Sequence, residues 1–420
     1  MKTTEWSELH IELLGLIVRQ LDPVQFYRFC ATCKSWRAAA MFKCYPLSHR
    51  VPWLVLSKHD DKTHAHSFFS LSHQTDYWLE LPELRRKRCC GSSYGWLITI
   101  EYETFDLHLL NPFSRRQIKL PSPKTFPRPY DKELPYLKVH YIQKAILSKD
   151  PSSTDDYTVL VIFSGMCRLA FFRPRKEGKW IVMDYRPVLF QNVIYYREQF
   201  YAIDMLGALV LVGLDPQPKL TKITPYLKRH ASTCKRYLVE WSGELLHVRR
   251  PMAFDDEPYD DSSDRDNDDW NWDGPIKGYK DKFLFPDADK DKDEDNDDIF
   301  EEGDIPEDLK LFYKTGIFKV YKLVHLSNCE YRWKKMESLD DCVLFLGDNA
   351  PLSLPVANFS EFKGNRIYFT DDYWEAFNLH HEQGCHDLGI FNLEDKTIES
   401  FYPNDYHSPK LPPIWIAPNP

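Results

Sequence analysis

The chain has no apolar run long enough to cross a membrane as a helix. Its strongest stretches, residues 159–163 and 206–214, are far shorter than the ~20 residues such a span requires. No secretory h-region follows the opening Met1-Lys2-Thr3-Thr4-Glu5, which leads straight into a helical pattern. The ten cysteines have no regular spacing, so a reducing compartment is expected, nucleus and/or cytoplasm, and a disulfide framework is not. Familiar catalytic signatures are missing too: there is no glycine-rich phosphate loop, no G-x-S-x-G nucleophile turn and no H-E-x-x-H. These absences point away from membrane proteins, secreted scaffolds and the motif-bearing enzyme classes, and no cofactor is expected.

What is present begins with the first forty residues. Leu9, Leu13, Leu14, Ile17, Val18 and Leu21 recur at the three-and-four spacing that lines one side of a helix, and Ser7 is expected to cap it. Asp22 before Pro23 marks a second helix start, because proline at the first helical position has no needed N–H to lose. Phe26, Phe29, Cys30 and Cys33 make the next apolar face, and Trp36 opens a third segment ending in Ala38, Ala39 and Ala40. A module of about forty residues cannot bury all of these on itself, so the following domain or another protein must cover the rest.

At these residues a resemblance becomes specific. Trp6-Ser7-Glu8-Leu9, the pair Leu13-Leu14, Leu21 and Cys33-Lys34-Ser35-Trp36-Arg37 resemble an F-box, the module by which substrate receptors dock on the Skp adaptor of cullin-type ubiquitin ligases. His10 stands where most F-boxes carry proline. The resemblance implies a three-helix module over residues 1–45 whose adaptor-binding side chains are Leu9, His10, Leu13, Leu14, Ile17, Leu21, Phe29 and Trp36. Without the resemblance, the segment reads as an N-terminal helical cap on the main domain.

From residue 48 to 420 the pattern is β, apart from one insert. Runs rich in branched and aromatic residues recur at 53–56, 96–101, 157–163, 169–172, 199–203, 208–212, 237–240, 318–323, 342–346 and 366–369. A glycine turn precedes several of them: Gly95-Trp96-Leu97, Gly207-Ala208-Leu209, Gly243-Glu244-Leu245 and Gly364-Asn365-Arg366-Ile367. No helical pattern separates them, which favours antiparallel meanders over βαβ units. Without the insert the region has 319 residues. At ~45 residues per four-stranded blade that allows a six- or seven-bladed β-propeller, with two stacked sandwiches as the alternative. The expected fold class is therefore mainly β with a small α-helical N-terminal module. The stretches GSSYGWL, LLNPFSRRQIKLP, FYAID, YLVEWSGELL, FKVYKL, SLDDCVLFLG, NRIYFTDD and PPIWIAP resemble the KIB-type β-propeller domain that follows an F-box in many plant proteins.

The formal charge of −9 combines two unlike parts. Residues 255–308 carry 24 acidic and 6 basic side chains, a net −18, which leaves +9 for the rest. A segment so acidic and so poor in aliphatic residues cannot bury enough surface to offset chain entropy, so a disordered insert in the propeller is expected. Within it Asp291, Asp293, Asp295, Asp297 and Glu302 fall at the ligand spacing of an EF-hand. Asn296 replaces the turn glycine, however, Asp298 replaces the apolar residue, and Pro286 and Pro306 interrupt the flanks. Chance in an Asp-rich tract accounts for the match better than calcium binding does. Cys30 and Cys33 lack a second ligand pair and read as packing cysteines. His380, His381, Cys385 and His386 could supply zinc ligands but fall in a loop pattern, and no metal site is assigned. The tract Arg85-Arg86-Lys87-Arg88 reads equally as a nuclear signal and as a solvated loop.

The resemblance implies a non-catalytic substrate receptor. Its F-box would dock on a Skp-type adaptor and through it on a cullin, while the propeller holds an unidentified protein target for ubiquitination; neither membrane nor nucleic acid is expected as a partner. The alternative is a stand-alone propeller binding protein, or a propeller hydrolase, whose N-terminal helices serve only as a cap.

Overall fold

The computed structural model describes residues 6–41, 51–60, 65–126, 141–164, 167–183, 189–225, 234–254, 313–326, 330–359, 361–373, 387–402 and 412–418. The acidic insert with its EF-hand-like spacing, and the His380, His381, Cys385 and His386 cluster, lie outside the described residues.

A 3-10 turn, Trp6–Glu8, leads into α1 (Ile11–Val18), α2 (Pro23–Thr32) and α3 (Lys34–Met41). Asp22 starts α2 through a reciprocal cap: its Oδ1 accepts from the Gln25 N–H at 2.8 Å, and Gln25 Oε1 accepts from the Asp22 N–H at 3.2 Å. Helix α1 begins later than the sequence suggested. Its N-cap is His10, which makes no side-chain cap bond, and Ser7 sits in the preceding turn. That turn is tied down by α3, since Ser35 Oγ donates to the Ser7 carbonyl at 2.8 Å and Trp36 Nε1 to the Trp6 carbonyl at 2.9 Å. Leu14, Val18, Phe26, Phe29, Cys30, Ala39 and Ala40 fill the space between the helices, with Phe29 stacked on Trp36 at 4.5 Å.

Six sheets follow, arranged as propeller blades. Blade 1 pairs Trp53–Asp60, Ala65–Ser70 and Thr75–Glu80, with the C-terminal strand Ile414–Ile416 on its inner edge. Blade 2 comprises Lys87–Ser93, Trp96–Glu101, Leu107–Leu110 and Gln117–Lys119; blade 3 comprises Ile142–Leu147, Val159–Phe163, Arg168–Phe172 and Trp180–Met183. Blade 4 is Phe190–Tyr196, Gln199–Asp204, Leu209–Gly213 and Lys219–Lys222. Blade 5 is Cys234–Trp241, Glu244–Phe254, Lys319–His325 and Tyr331–Met336, with Tyr313–Thr315 added beside its second strand. The first-to-last pairing, Trp53 opposite Ile416, closes the ring and removes an open sheet edge. Val159–Phe163 and Cys342–Leu346 are buried throughout, which is why such strands read as unbroken apolar runs rather than alternating ones.

Blade 6 departs from the expected antiparallel meander. Cys342–Leu346 occupies its second position, antiparallel to Leu352–Pro355 on the inner edge but parallel to Arg366–Phe369, beyond which lie Gly389–Asn392 and Ile398–Glu399. Having turned back to supply the inner strand, the chain crosses to the other side before continuing. Gly364 lies on that crossing, where a Cβ would come within 2.6 Å of the Asp340 carbonyl oxygen. The turn 347–351 reaches over to other blades: the Ala350 N–H donates to the Ser92 carbonyl of blade 2 at 2.9 Å, and Lys144 Nζ of blade 3 donates to the Gly347 carbonyl at 3.0 Å. Burial pushes the Lys144 ammonium down to about 8.

A charged lock joins blades 5 and 6. Arg250, fully buried, donates to Asp372 Oδ1 at 3.1 Å, Asp387 Oδ2 at 2.8 Å, Thr315 Oγ1 at 2.7 Å and the Thr370 carbonyl at 2.8 Å. Its guanidinium also lies 4.6 Å from the Phe369 ring centroid.

Because successive strands within a blade run antiparallel, the connections alternate between the two ends of the ring. The described strands flanking residues 127–140, 184–188, 226–233, 255–312 and 374–386 present those flanks at one common end. The turn 71–74 and the Asn111–Arg116 turn lie at the other.

Candidate partner-docking site

Helix α1 is apolar on two sides. Leu14 and Val18 face inward at 1 % and 0 % exposure, while Leu13, Leu16 and Ile17 face outward at 50 %, 59 % and 39 %. A helix advances about 100° per residue, so positions 13, 16 and 17 share one stripe and positions 14 and 18 another, roughly 130° round the axis. Trp6 and Ile11, just before and at the start of the helix, are exposed as well, Trp6 at 73 %. The module's own core is already filled, so the outer stripe is surplus to folding. A contiguous exposed apolar patch of this kind marks a contact surface.

The eight residues singled out from the sequence separate into three groups. Leu13, Ile17 and His10 are exposed, and Leu13 and Ile17 lie together on the stripe. Leu9, Leu21 and Trp36 are half-buried against the module's core. Leu14 and Phe29 are inside it, placed to hold the helices together rather than to touch a partner. Sequence reasoning passed over Leu16, although its three-residue offset from Leu13 was a usable signal.

The module sits on the Trp53 end of blade 1, beside the turn 71–74. Val24 of α2 packs on the cluster containing Trp53, Phe68 and Phe113. A polar cleft of about 350 Å³ separates α1 and α2 from blade 1, lined by Arg19, Asp22, Gln25, His73 and Tyr77 among others. Within it the Tyr77 hydroxyl and His73 Nδ1 are 2.9 Å apart, and burial together with the nearby Asp22 carboxylate raises the phenol's pKa.

The other candidates resolve individually. In the basic tract, Arg85 and Arg86 are exposed, but Arg88 is buried inside the ring, where it donates to the Ile142 carbonyl. Cys30 is buried in the helical core. Cys33 links α2 to α3, and hydrogen bonding with the Ser35 hydroxyl and from the Trp36 N–H lowers its thiol pKa. Among the described residues no group of three or more His, Cys, Asp or Glu side chains is placed to hold a metal ion.

A three-helix module with an outward apolar stripe, seated on a closed six-bladed ring, defines an F-box protein with a C-terminal propeller. The F-box domain family matches residues 6–43 and the KIB1-4 beta-propeller family matches residues 68–392. The chain belongs to the KIB1-4 beta-propeller family. It is similar along nearly its whole length to Arabidopsis thaliana F-box proteins: 25 % identical to F-box protein SKIP23, covering 98 % of this chain and 96 % of that one. F-box protein At2g17036 is 24 % identical over 98 % of this chain and 95 % of its own length, and F-box protein At3g56470 is 28 % identical over 60 % and 66 %.

Proposed function

We propose that this F-box protein is the substrate receptor of a Skp–cullin ubiquitin ligase. Its outward stripe of Leu13, Leu16 and Ile17 docks on the Skp-type adaptor. The observation that carries this reading is the two-sided apolar character of α1: one side completes the module's core and the other is exposed among the described residues. Leu9, Leu21 and Trp36 shape the stripe from behind, and His10 sets the start of the helix that bears it. The propeller holds a protein target, at the end of the ring away from the adaptor. The chain performs no chemistry of its own; it brings a target to the ligase, in the nucleus and/or the cytoplasm.

Purified adaptor titrated onto the full chain tests this. The wild type should bind, and Leu16→Asp should abolish binding while the helical signal persists, because an unpaired charge would enter the contact. Undiminished binding by that variant would overturn the assignment of this face.

A further inference from the structure

The outer edges of the blades are not alike. A strand at the rim turns a row of backbone N–H and C=O groups to the outside, and proteins guard such rows with lysines, bulges, prolines or short length. Blades 2, 4 and 5 end in Gln117–Lys119, Lys219–Lys222 and Tyr331–Met336, each with at least one lysine in the strand. The last strand of blade 6 has two residues. That of blade 3 has four, preceded by Lys179, and its Trp180 Nε1 donates to the Pro121 carbonyl. Blade 1 ends in Thr75–Glu80, six residues without lysine, arginine or proline. It pairs with Ala65–Ser70 in unbroken register, from Thr75 opposite Ser70 to Glu80 opposite Ala65, and the backbone groups on its far side have no backbone partner among the described residues.

This unguarded strand is held rigidly by its other side chains. Tyr77 stacks on Trp53 at 4.7 Å, and Leu79 is buried in the cluster of Trp53, Phe68 and Phe113. Side chains alternate along a strand, so Asp76, Trp78 and Glu80 share the opposite face. Asp76 accepts from the Tyr402 hydroxyl at 3.0 Å, Glu80 is exposed, and Trp78 between them is 52 % exposed. A tryptophan left in solvent between two carboxylates adds little to the fold, and tryptophan is the residue type that anchors protein contacts.

We propose that the rim strand Thr75–Glu80 is a β-addition site for an extended basic segment of a partner protein. The added strand pairs with the outward N–H and C=O groups. Its lysines or arginines lie opposite Asp76 and Glu80, and an apolar residue between them covers Trp78, so that charge and shape both match across the pair. A second copy of this chain fits less well, because two-fold pairing centred on Trp78 would set each Asp76 opposite a Glu80, like charge on like charge. The site lies on the rim of blade 1, apart from the α1 stripe, and does not depend on the adaptor reading.

The full chain titrated onto the fluorescein-labelled peptide acetyl-KTVTKT-amide, followed by anisotropy, tests this. Saturable one-to-one binding is expected, weaker by about tenfold or more for acetyl-ETVTET-amide. Methylating alternate peptide nitrogens separates strand addition from ionic attraction: one set of methyl groups should abolish binding and the other should spare it, since only one edge of an added strand pairs. Trp78→Lys puts a lysine on the edge at an exposed position, and it should leave Tm unchanged while weakening binding by about tenfold or more. If that variant does not fold, Glu80→Lys should shift the preference toward the glutamate peptide. Absence of saturable binding, equal loss from both methylation patterns, or unchanged affinity in the folded variants would overturn the site. A dimer of the chain that Trp78→Lys abolishes would overturn the choice of partner.

Discussion

Leu14 and Leu16 are two residues apart on one short helix, and the structure assigns them opposite consequences. Leu14 is 1 % exposed within the helical core, so Leu14→Ala should cost about 2–5 kcal/mol in lost burial and residual cavity. A module this small has little stability to spare, so its helices should melt while the propeller stays folded. Leu16 is 59 % exposed and contributes little to the fold. Leu16→Ala should leave stability within about 0.5 kcal/mol of wild type. It would forfeit only the burial completed on docking, roughly 1–2 kcal/mol, which corresponds to an approximately five- to thirtyfold weaker adaptor affinity. Amide hydrogen exchange over residues 11–41, measured beside the adaptor Kd, distinguishes the two. Leu14→Ala should lose both protection and binding, and Leu16→Ala binding alone. If Leu14→Ala kept full protection, or Leu16→Ala bound as tightly as wild type, the division of α1 into inner and outer stripes would be refuted.

His10→Pro should stabilise the module by about 0.4–1 kcal/mol, because His10 already has φ −60° and ψ 138°, close to the values proline imposes; a lowered melting temperature of the helical signal would contradict this. Arg250→Met should destabilise the ring by about 3–5 kcal/mol by leaving Asp372 and Asp387 buried without their cation, read as a lower urea midpoint with an unchanged m-value; an unchanged midpoint would deny the lock. Asp204 titrates in the opposite sense to a salt-bridged acid: its folded pKa of about 7 lies above the usual 3.8, so stability from this group declines as pH rises from roughly 4 to 7 and is flat above. Asp204→Asn should flatten that part of the curve, measured as denaturant midpoints across the interval, and a decline as steep as wild type would count against it. Phe254 and Tyr313 are direct cross-strand partners, so replacing residues 255–312 with an Asn-Gly turn should preserve that ladder; thermal unfolding should change little, since each doubling of loop length costs only about 0.6 kcal/mol, and collapse of the ring would show that the segment packs.

Much of the architecture was legible in the sequence because it depends on local pattern. Asp22 before Pro23, the spaced leucines of α1 and the closing Cys33-Lys34-Ser35-Trp36-Arg37 specify short helices, and the start of α2 falls where Asp22 and Pro23 put it, although α1 starts at Ile11 rather than after Ser7. Branched and aromatic runs broken by turns specify strands, and Gly95, Gly207 and Gly243, all at positive φ, mark three of those turns as predicted. Length divided by blade size bounded the ring at six or seven. Tertiary structure settled on six, since the long connections between outer and inner strands take up residues the division had given to a seventh blade, and blade 6 itself uses five strands. It also decided that the last strand pairs with the first, because hydrogen bonding between residues more than three hundred positions apart leaves no periodic trace. The two sides of α1 illustrate the same limit. Hydrophobicity marks Leu13, Leu14, Leu16 and Ile17 alike, and only the packing of α2 and α3 determines which of them the module consumes and which remain for a partner. The buried cations were hidden for a related reason: Arg236, Arg250 and Lys144 look like ordinary surface charges in the sequence, and only the neighbouring blades remove them from water.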